Sequence, residues 1–400
     1  MSFASRYIEK QVLFPTFIHD QPPAGLGMII IIPACNEPEL LKTIDSLSRC
    51  RPPDCAVEVI VVINEAEDCG QEISRQNDQD LISLVEWKKK HPEVFFALYP
   101  FRSAPFPGKH AGVGLARKTG MDEAIRRFGQ LEKAEGVIVS LDADTLVESN
   151  YLTELERLFS SEMDLVGTTI SFKHRVEELR DQQQREGIML YETYLHYYKE
   201  ALEYCGYPHA IYTIGSAFAI RAGAYSKQGG MSRRQAGEDF YFLHKLTQLG
   251  QLAELDTTRV YPSARVSDRV PFGTGAALQK WMKGGSRLRS TYCFRSFIDL
   301  REFFRLIPVL YGQNPGRVEE LRVSLPLQRF LEEDYFIDAL NGIRRNSSSP
   351  VTFEKRFFQY FNAFKILKFQ NFSHPQFYGY QDLNQAVADL EEAKSVSLDS

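Results

Sequence analysis

Met28-Ile29-Ile30-Ile31-Ile32-Pro33-Ala34-Cys35-Asn36-Glu37 is the stretch on which the reading of this chain turns. Met28 and four isoleucines form a continuous apolar run, the pattern of a strand buried on both faces. Asn36 then supplies a good N-cap, with Glu37 and Glu39 in the first turn. Leu40, Leu41, Ile44 and Leu47 follow at helical spacing. The same alternation continues outward. Val57–Ile63 reads as a second strand, Gln79–Lys90 as helix, Val94–Leu98 as a third strand and Ala111–Phe128 as helix. Val137–Leu141 reads as a fourth strand and Asn150–Phe159 as helix. Strands alternating with helices predict right-handed crossovers and an α/β fold around a largely parallel sheet. Ligands of such sheets bind at the carboxyl ends of the strands. Polar clusters stand at three of those ends: Asn36 with Glu37, Asn64 with Glu65, and Asp142 with Asp144.

Further along, Val176–Cys205 reads as a long helix rich in Tyr, Gln and Glu, and Ile214–Ile220 returns to strand. Beyond Pro271 the pattern becomes aromatic and helical, as in Phe297–Leu310 and Phe353–Phe369. The acidic tail after Asp382 is expected to fray. The organisation predicted is a lead-in over 1–25, a catalytic domain over 26–275, a helical C-terminal extension over 276–385 and a flexible tail over 386–400.

The 400 residues are 44% hydrophobic and 25% charged, which allows a sizeable core, and the formal net charge is −5. That balance excludes a dedicated nucleic-acid binder, which needs a basic surplus. Residues 1–23 lack the basic segment, apolar run and small-residue cleavage site of a secretory leader. The most apolar run, Met28–Ile32, is too short to span a bilayer. None of the six cysteines falls in a Cys-x-x-Cys pair. Reduced thiols in a cytoplasmic protein are the expectation.

Asp142-Ala143-Asp144 directly follows the apolar run Val137–Leu141. Two carboxylates one residue apart at a strand end can turn toward one ion, and hard divalent cations such as Mg²⁺ or Mn²⁺ want oxygen ligands. A departing diphosphate needs such a positive charge. Capping aspartates in a plain loop fit the same pattern. Gly237-Glu238-Asp239-Phe240 opens an amphipathic helix, where Asp239 suits either a cap or a base that takes a proton from a hydroxyl. Gly108-Lys109-His110-Ala111 and Ala116-Arg117-Lys118 form a basic stretch suited to phosphate, or to a solvated helix face.

In this order, the motifs resemble family-2 glycosyltransferases of the GT-A fold. Pro33 to Glu37 is similar to that family's first-strand element. Gly108-Lys109 and Ala116-Arg117 are similar to its donor-side loop and helix, and Asp142-Ala143-Asp144 to its metal motif. Gly215 to Arg221, Gly229-Gly230 and Gly237-Glu238-Asp239 are similar to its acceptor-side block. The likeness covers about Met28 to Gly250 and weakens toward Gly275. It implies a Rossmann-like GT-A domain that transfers a sugar from a nucleotide-sugar donor to a carbohydrate, lipid-linked or small-molecule acceptor. Pro33, Asn36, Glu37, Asn64, Lys109, Arg117, Asp142 and Arg269 would serve the donor. Asp144, with Asp142, would bind Mn²⁺ or Mg²⁺. Asp239, beside Glu238, would be the base of an inverting single displacement. Arg265, Arg269, Phe272, Gly273 and Gly275 would form a flap over the donor.

Two departures from the family pattern stand out. The second strand ends in Ile63-Asn64-Glu65 rather than an acidic pair, and no His follows His244 until His374. The Gln-x-x-Arg-Trp of processive polymer synthases is missing; Gln279-Lys280-Trp281 only echoes it. Two alternatives remain: a sugar-nucleotide nucleotidyltransferase and a non-catalytic carbohydrate-binding relative. The first wants a Gly-rich basic loop after the first strand, which Ala34–Pro38 does not supply. The second does not require Asp142, Asp144 and Asp239 together. Phe353–Phe369, aromatic with Lys and Arg, suits a packed helix better than contact with a membrane surface.

Overall fold

The computed structural model describes residues 2–233, 237–267, 273–313 and 315–398, with side chains to 396. They divide into two compact units, Met1–Leu179 with Thr213–Ala276, and Arg180–Tyr212 with Ala277–Ser400.

The first unit is built on an eight-stranded sheet. Helix α1 (Ser5–Gln11) precedes β1 (Leu26–Ala34), α2 (Leu40–Ser48), β2 (Ala56–Ile63), α3 (Gln71–Lys90), β3 (Phe96–Arg102) and α4 (Val113–Gln130). Then come β4 (Val137–Ser140), β5 (Leu146–Val147), α5 (Tyr151–Ser161) and β6 (Gly167–Phe172). After α6 (Gln182–Tyr204), which belongs to the second unit, the chain returns with β7 (Phe218–Arg221), α7 (Ala222–Gln228), α8 (Glu238–Leu246) and β8 (Leu252–Tyr261). The strand order is β3-β2-β1-β4-β7-β6-β8-β5. β3, β2, β1 and β4 are mutually parallel. β7 runs antiparallel to both β4 and β6, and β8 pairs parallel with β6 and antiparallel with β5.

The α/β architecture with a mostly parallel sheet and a C-terminal helical region agrees with the sequence reading. Two expected strand starts shift toward the C-terminus. The third strand begins at Phe96 rather than Val94, and the strand expected from Ile214 begins at Phe218. The long helix expected from Val176 starts at Gln182, because Asp181 caps it by accepting the Gln184 N–H at 2.8 Å; Val176–Glu178 is a short 3₁₀ turn.

β1 and β2 are buried almost end to end, as their composition requires. Glu58 is the exception in the second run, with none of its surface accessible. It is held by Arg127 of α4, whose Nη2 donates to Oε1 at 2.5 Å while Nε donates to Oε2. The guanidinium also lies 5.0 Å from the centre of the Tyr99 ring. Gly120 lets α4 lie close on the sheet, since a Cβ there would meet Ile31 Cγ2 at 2.5 Å.

The second unit contains α6, part of α9 (Thr274–Met282), α10 (Phe294–Phe304), α11 (Ile307–Gly312), α12 (Leu325–Glu333), α13 (Phe336–Arg345), α14 (Pro350–Tyr360), α15 (Ala363–Ser373) and α16 (Leu383–Leu398). Phe303 anchors its core, with ring centres 5.5 Å from Phe336, 5.7 Å from Phe357 and 5.3 Å from Phe361. The phenylalanines of the stretch 353–369 with buried rings therefore face this unit's interior. The tail expected to fray is helical to Leu398, because Leu383, Ala386 and Leu390 give it an apolar stripe to bury. Among the described residues no helix is long and apolar enough to cross a membrane.

Removing one partner of a buried ion pair leaves an uncompensated charge. Arg127→Ala should therefore lower unfolding free energy by about 3–5 kcal/mol, read from the first transition in urea. A loss below about 1 kcal/mol, the range of exposed pairs, would show that Glu58 finds other compensation.

Candidate active site

The site forms where β1, β2 and β4 end. Pro33 is buried in β1 opposite Val62, and the chain turns at Asn36 with φ 51°. Asn tolerates that left-handed conformation better than most residues. The turn is fixed from α3: the Asn36 N–H donates to Asn77 Oδ1 at 2.8 Å, and the Glu37 N–H reaches Asp80 Oδ2 at 3.4 Å. Asn64 is buried, and both its backbone N–H (2.9 Å) and its Nδ2 (2.8 Å) donate to the Ala34 carbonyl. Its amide N–H groups tie β2 to β1 at the rim. Asn77 Nδ2 also bonds Glu65 Oε2 at 3.1 Å, and Arg102 bonds Glu65 Oε1 at 2.5 Å.

At the end of β4, Asp142 and Asp144 lie on a turn closed by Thr145 N–H to the Asp142 carbonyl at 3.1 Å. The turn is gripped from two sides. Thr43 Oγ1 on α2 donates to the Ala143 carbonyl at 2.8 Å, and Arg175 Nη2 donates to the Asp144 carbonyl at 2.9 Å. Arg175 also pairs with Glu39 at 2.7 Å. Among the described residues no group of three or more His, Cys, Asp or Glu side chains converges as a metal cage. The turn thus offers two carboxylates. That fits a hard cation which completes its shell with phosphate oxygens and water. The site already attracts positive charge, since the Arg265 guanidinium lies 3.1 Å from Asp144 Oδ2.

Arg117, read in the sequence as a donor contact or an exposed basic face, has a side chain only 2% exposed. Its Nη2 donates to Asp142 Oδ1 at 2.6 Å, and its Nη1 donates to Glu238 Oε1. One guanidinium therefore joins the Asp142–Asp144 turn to the start of α8. Burial alone would weaken its charge, but Asp142, Glu238 and Asp239 hold it above its ordinary pKa. Gly215 makes room for it: a Cβ there would lie 2.6 Å from Arg117 Nη2. The Gly215 carbonyl in turn accepts from Ser140 Oγ at 2.6 Å.

α8 starts from Gly237 in the left-handed region, φ 70°, which places Glu238 and Asp239 in its first turn. The Phe240 N–H donates to Asp239 Oδ1 at 2.7 Å. The helix start by itself favours the ionised form of Asp239, but its surroundings outweigh this. Burial, followed by the charge of Glu238, pushes Asp239 up to about 7, outweighing Arg117 and the Phe240 hydrogen bond. Burial likewise raises Glu238, against the pull of Arg117. Asp239 lies deep in the protein, yet part of its surface remains accessible.

Lys109 is exposed in the loop before α4. Gly273 has φ 91°, and a Cβ on Gly275 would meet Ser267 at 2.6 Å. Arg269 and Phe272 lie outside the described residues. The sequence reading missed Asn77, Asp80 and Arg175. A signal existed for the first two: Asn77, Asp80, Leu84 and Trp87 form the buried stripe of α3, and starting that helix at Gln79 cut the stripe short.

These features define an α/β enzyme with an acidic strand-end turn, a buried guanidinium and a carboxylate tuned to neutral pH at one rim. Residues 137–312, under half of the chain, match the family model described as Glycosyl transferase family group 2. The match spans β4, the Asp142–Asp144 turn and the start of α8, and over that stretch the chain is similar to family 2 glycosyltransferases. No curated protein matches the chain at a significant level. Among solved structures, residues 1–349 of TarS from S. aureus in complex with UDP-GlcNAc are 16% identical, with TM-score 0.41, over 92% of this chain and 81% of that one. A mannosyltransferase from Pyrobaculum calidifontis in complex with GDP-Man and Mn²⁺ is 15% identical, with TM-score 0.40, over 99% of this chain and 86% of that one. At such values neither tells what this chain binds.

The tight seat of Arg117 yields a test. Gly215→Ala should push the guanidinium off Asp142 and Glu238 and lower turnover by about a hundredfold, the scale of an ångström-sized misplacement. A donor-hydrolysis assay, with circular dichroism to verify folding, reads this out. Turnover within twofold of the parent would mean that the Arg117 bridge does not position the site.

Proposed function

We propose that the chain moves a sugar from a nucleoside-diphosphate sugar to an acceptor hydroxyl with inversion at the anomeric carbon, Asp239 acting as base. The observation that carries this reading is the Asp142–Arg117–Glu238 bridge. It holds a carboxylate turn suited to a cation-bound diphosphate against a carboxylate suited to proton abstraction. The acceptor oxygen attacks the anomeric carbon from the face opposite the nucleotide and gives its proton to the Asp239 carboxylate. The bond from that carbon to the phosphate oxygen breaks, and its electron pair leaves with the diphosphate. Asp144 and Asp142 would hold a Mn²⁺ or Mg²⁺ ion, which when bound neutralises charge on the departing diphosphate. Lys109 and the Asn36–Glu37 turn are proposed to border the donor. The residues at 26–275 are proposed as the catalytic part and the later helices as an extension. A reducing compartment such as the cytoplasm is proposed, where the six cysteines stay as thiols.

A base with pKa about 7 is ionised in good part at neutral pH and more basic than an ordinary carboxylate. Because the ionised form is the active one, kcat/KM should rise with pH and level off above about 7. Asp239→Asn keeps a side-chain oxygen that can accept the Phe240 N–H but removes its basicity. It should lower turnover by about a hundredfold to ten-thousandfold with donor binding nearly intact, and abolish that pH rise. Turnover within a few-fold of the parent would leave Asp239 a structural residue of the first turn of α8 and remove the support for inversion. A stability readout accompanies it. The folded-state pKa of this acid is raised above its unfolded value, so ionisation costs stability as pH climbs from about 4 to about 7. Asp239→Asn should therefore melt higher than the parent at pH 8, with the gap closing toward pH 4.

Asp144→Ala should abolish turnover and remove the Mn²⁺-dependent part of nucleotide binding, measured by calorimetry with and without the ion. Wild-type activity with unchanged ion dependence would exclude Asp144 as a ligand.

A further inference from the structure

Arg265 follows β8, and its Nη2 sits between carboxylates from two different strand ends. It lies 2.5 Å from Glu37 Oε2, after β1, and 3.1 Å from Asp144 Oδ2, after β4. The two arms are unequal. The Glu37 side chain is 3% exposed, so its charge needs a buried partner, and its contact is the shorter one. The Asp144 side chain is 25% exposed and water can solvate it, so the longer contact is the more dispensable. Arg175 holds the same turn by the Asp144 backbone carbonyl rather than by its carboxylate. The turn can therefore keep its position while the Asp144 side chain changes partner.

From this geometry we infer that Arg265 is the resting counter-ion of Asp144 and competes with a divalent cation for its carboxylate. The inference rests on Asp144 being the cation ligand proposed above. The oxygen that accepts the Arg265 N–H is one a hard cation would take, and a guanidinium and a divalent ion close to one carboxylate repel each other. Binding of the ion breaks the Arg265–Asp144 arm and keeps the Arg265–Glu37 arm. Arg265 then remains beside the site, a forked donor suited to phosphate oxygens. The ion binds weakly by itself, and more tightly once an anion arrives to draw Arg265 away.

Titration of the full chain with Mn²⁺ alone, followed by electron paramagnetic resonance of the free ion, tests this without reference to activity. Arg265→Gln should bind Mn²⁺ about fivefold to tenfold more tightly than the parent, the scale of one typical hydrogen bond. Asp144→Asn should abolish binding in both backgrounds. Should Arg265→Gln fail to fold because Glu37 loses this ion pair, the double variant E37Q/R265Q removes both charges of the pair and should show the same tightening. If affinity without Arg265 stays within twofold of the parent, or weakens, while Asp144→Asn still abolishes binding, competition is refuted and the cation assignment stands. If Asp144→Asn binds Mn²⁺ as the parent does, the cation assignment itself fails.

Discussion

A single buried guanidinium organises this site. Arg117 lies on α4, which packs on β1 and β2, and its two terminal nitrogens reach Asp142 on one side and Glu238 on the other. The first carboxylate belongs to the turn after a parallel strand, the second to a helix that follows an antiparallel one. Without a cation between them, two acidic elements would face each other across a poorly solvated space and repel. With it, the same charges fix a distance. Gly215, Ser140 and the left-handed Gly237 then follow as requirements. The glycine leaves space beside the guanidinium, the serine holds the strand lead that carries it, and Gly237 delivers the acidic pair to the first turn of α8.

That arrangement accounts for the tuning of Asp239. One guanidinium faces three carboxylates, Asp142, Glu238 and Asp239, and the short bonds to Arg117 go to the first two. Asp239 is left with burial and the charge of its neighbour, which together raise its pKa. A carboxylate at its ordinary pKa would be ionised at neutral pH but a poor proton acceptor; one raised to neutrality is a better one. On the proposed reading, a charge excess that costs stability at the site has a chemical use there.

How much of this was legible depended on whether the signal was local. Met28–Ile32 and Val57–Ile63 announced themselves because strands buried on both faces are continuous apolar runs. β6, Gly-Thr-Thr-Ile-Ser-Phe, and β8, with exposed Glu254, Asp256 and Thr257, carry no such run and went unread. Nothing local shows that β7 inserts antiparallel between β4 and β6, since pairing direction is set by the path of the chain. Asp142, Asp144, Glu238 and Asp239 were readable as candidates because motif spacing is local. The role of Arg117 was not, because its partners lie 25 and 121 residues away. A basic residue on a helix looks the same in sequence whether it meets water or two carboxylates. Likewise Glu58 inside a strand implied a buried partner without naming Arg127, 69 residues on.

The charge inventory also bears on the proposed chemistry, independently of any likeness to other proteins. Glu37, Asp142, Asp144, Glu238 and Asp239 line the described part of the rim, while Arg117 and Arg265 are already engaged with them. A nucleoside diphosphate approaching such a rim meets more negative charge than positive. Lys109, exposed before α4, is one cation proposed to meet it. One lysine does not offset a diphosphate whose charge increases as the sugar leaves, and repulsion at contact distance amounts to about 1–4 kcal/mol per charge pair near a protein surface. On the proposed reading, a divalent ion is what reconciles an acidic rim with an anionic leaving group. The same acidity that would otherwise exclude the donor is what retains the ion. The rim can then be acidic enough to raise Asp239 and still receive a diphosphate.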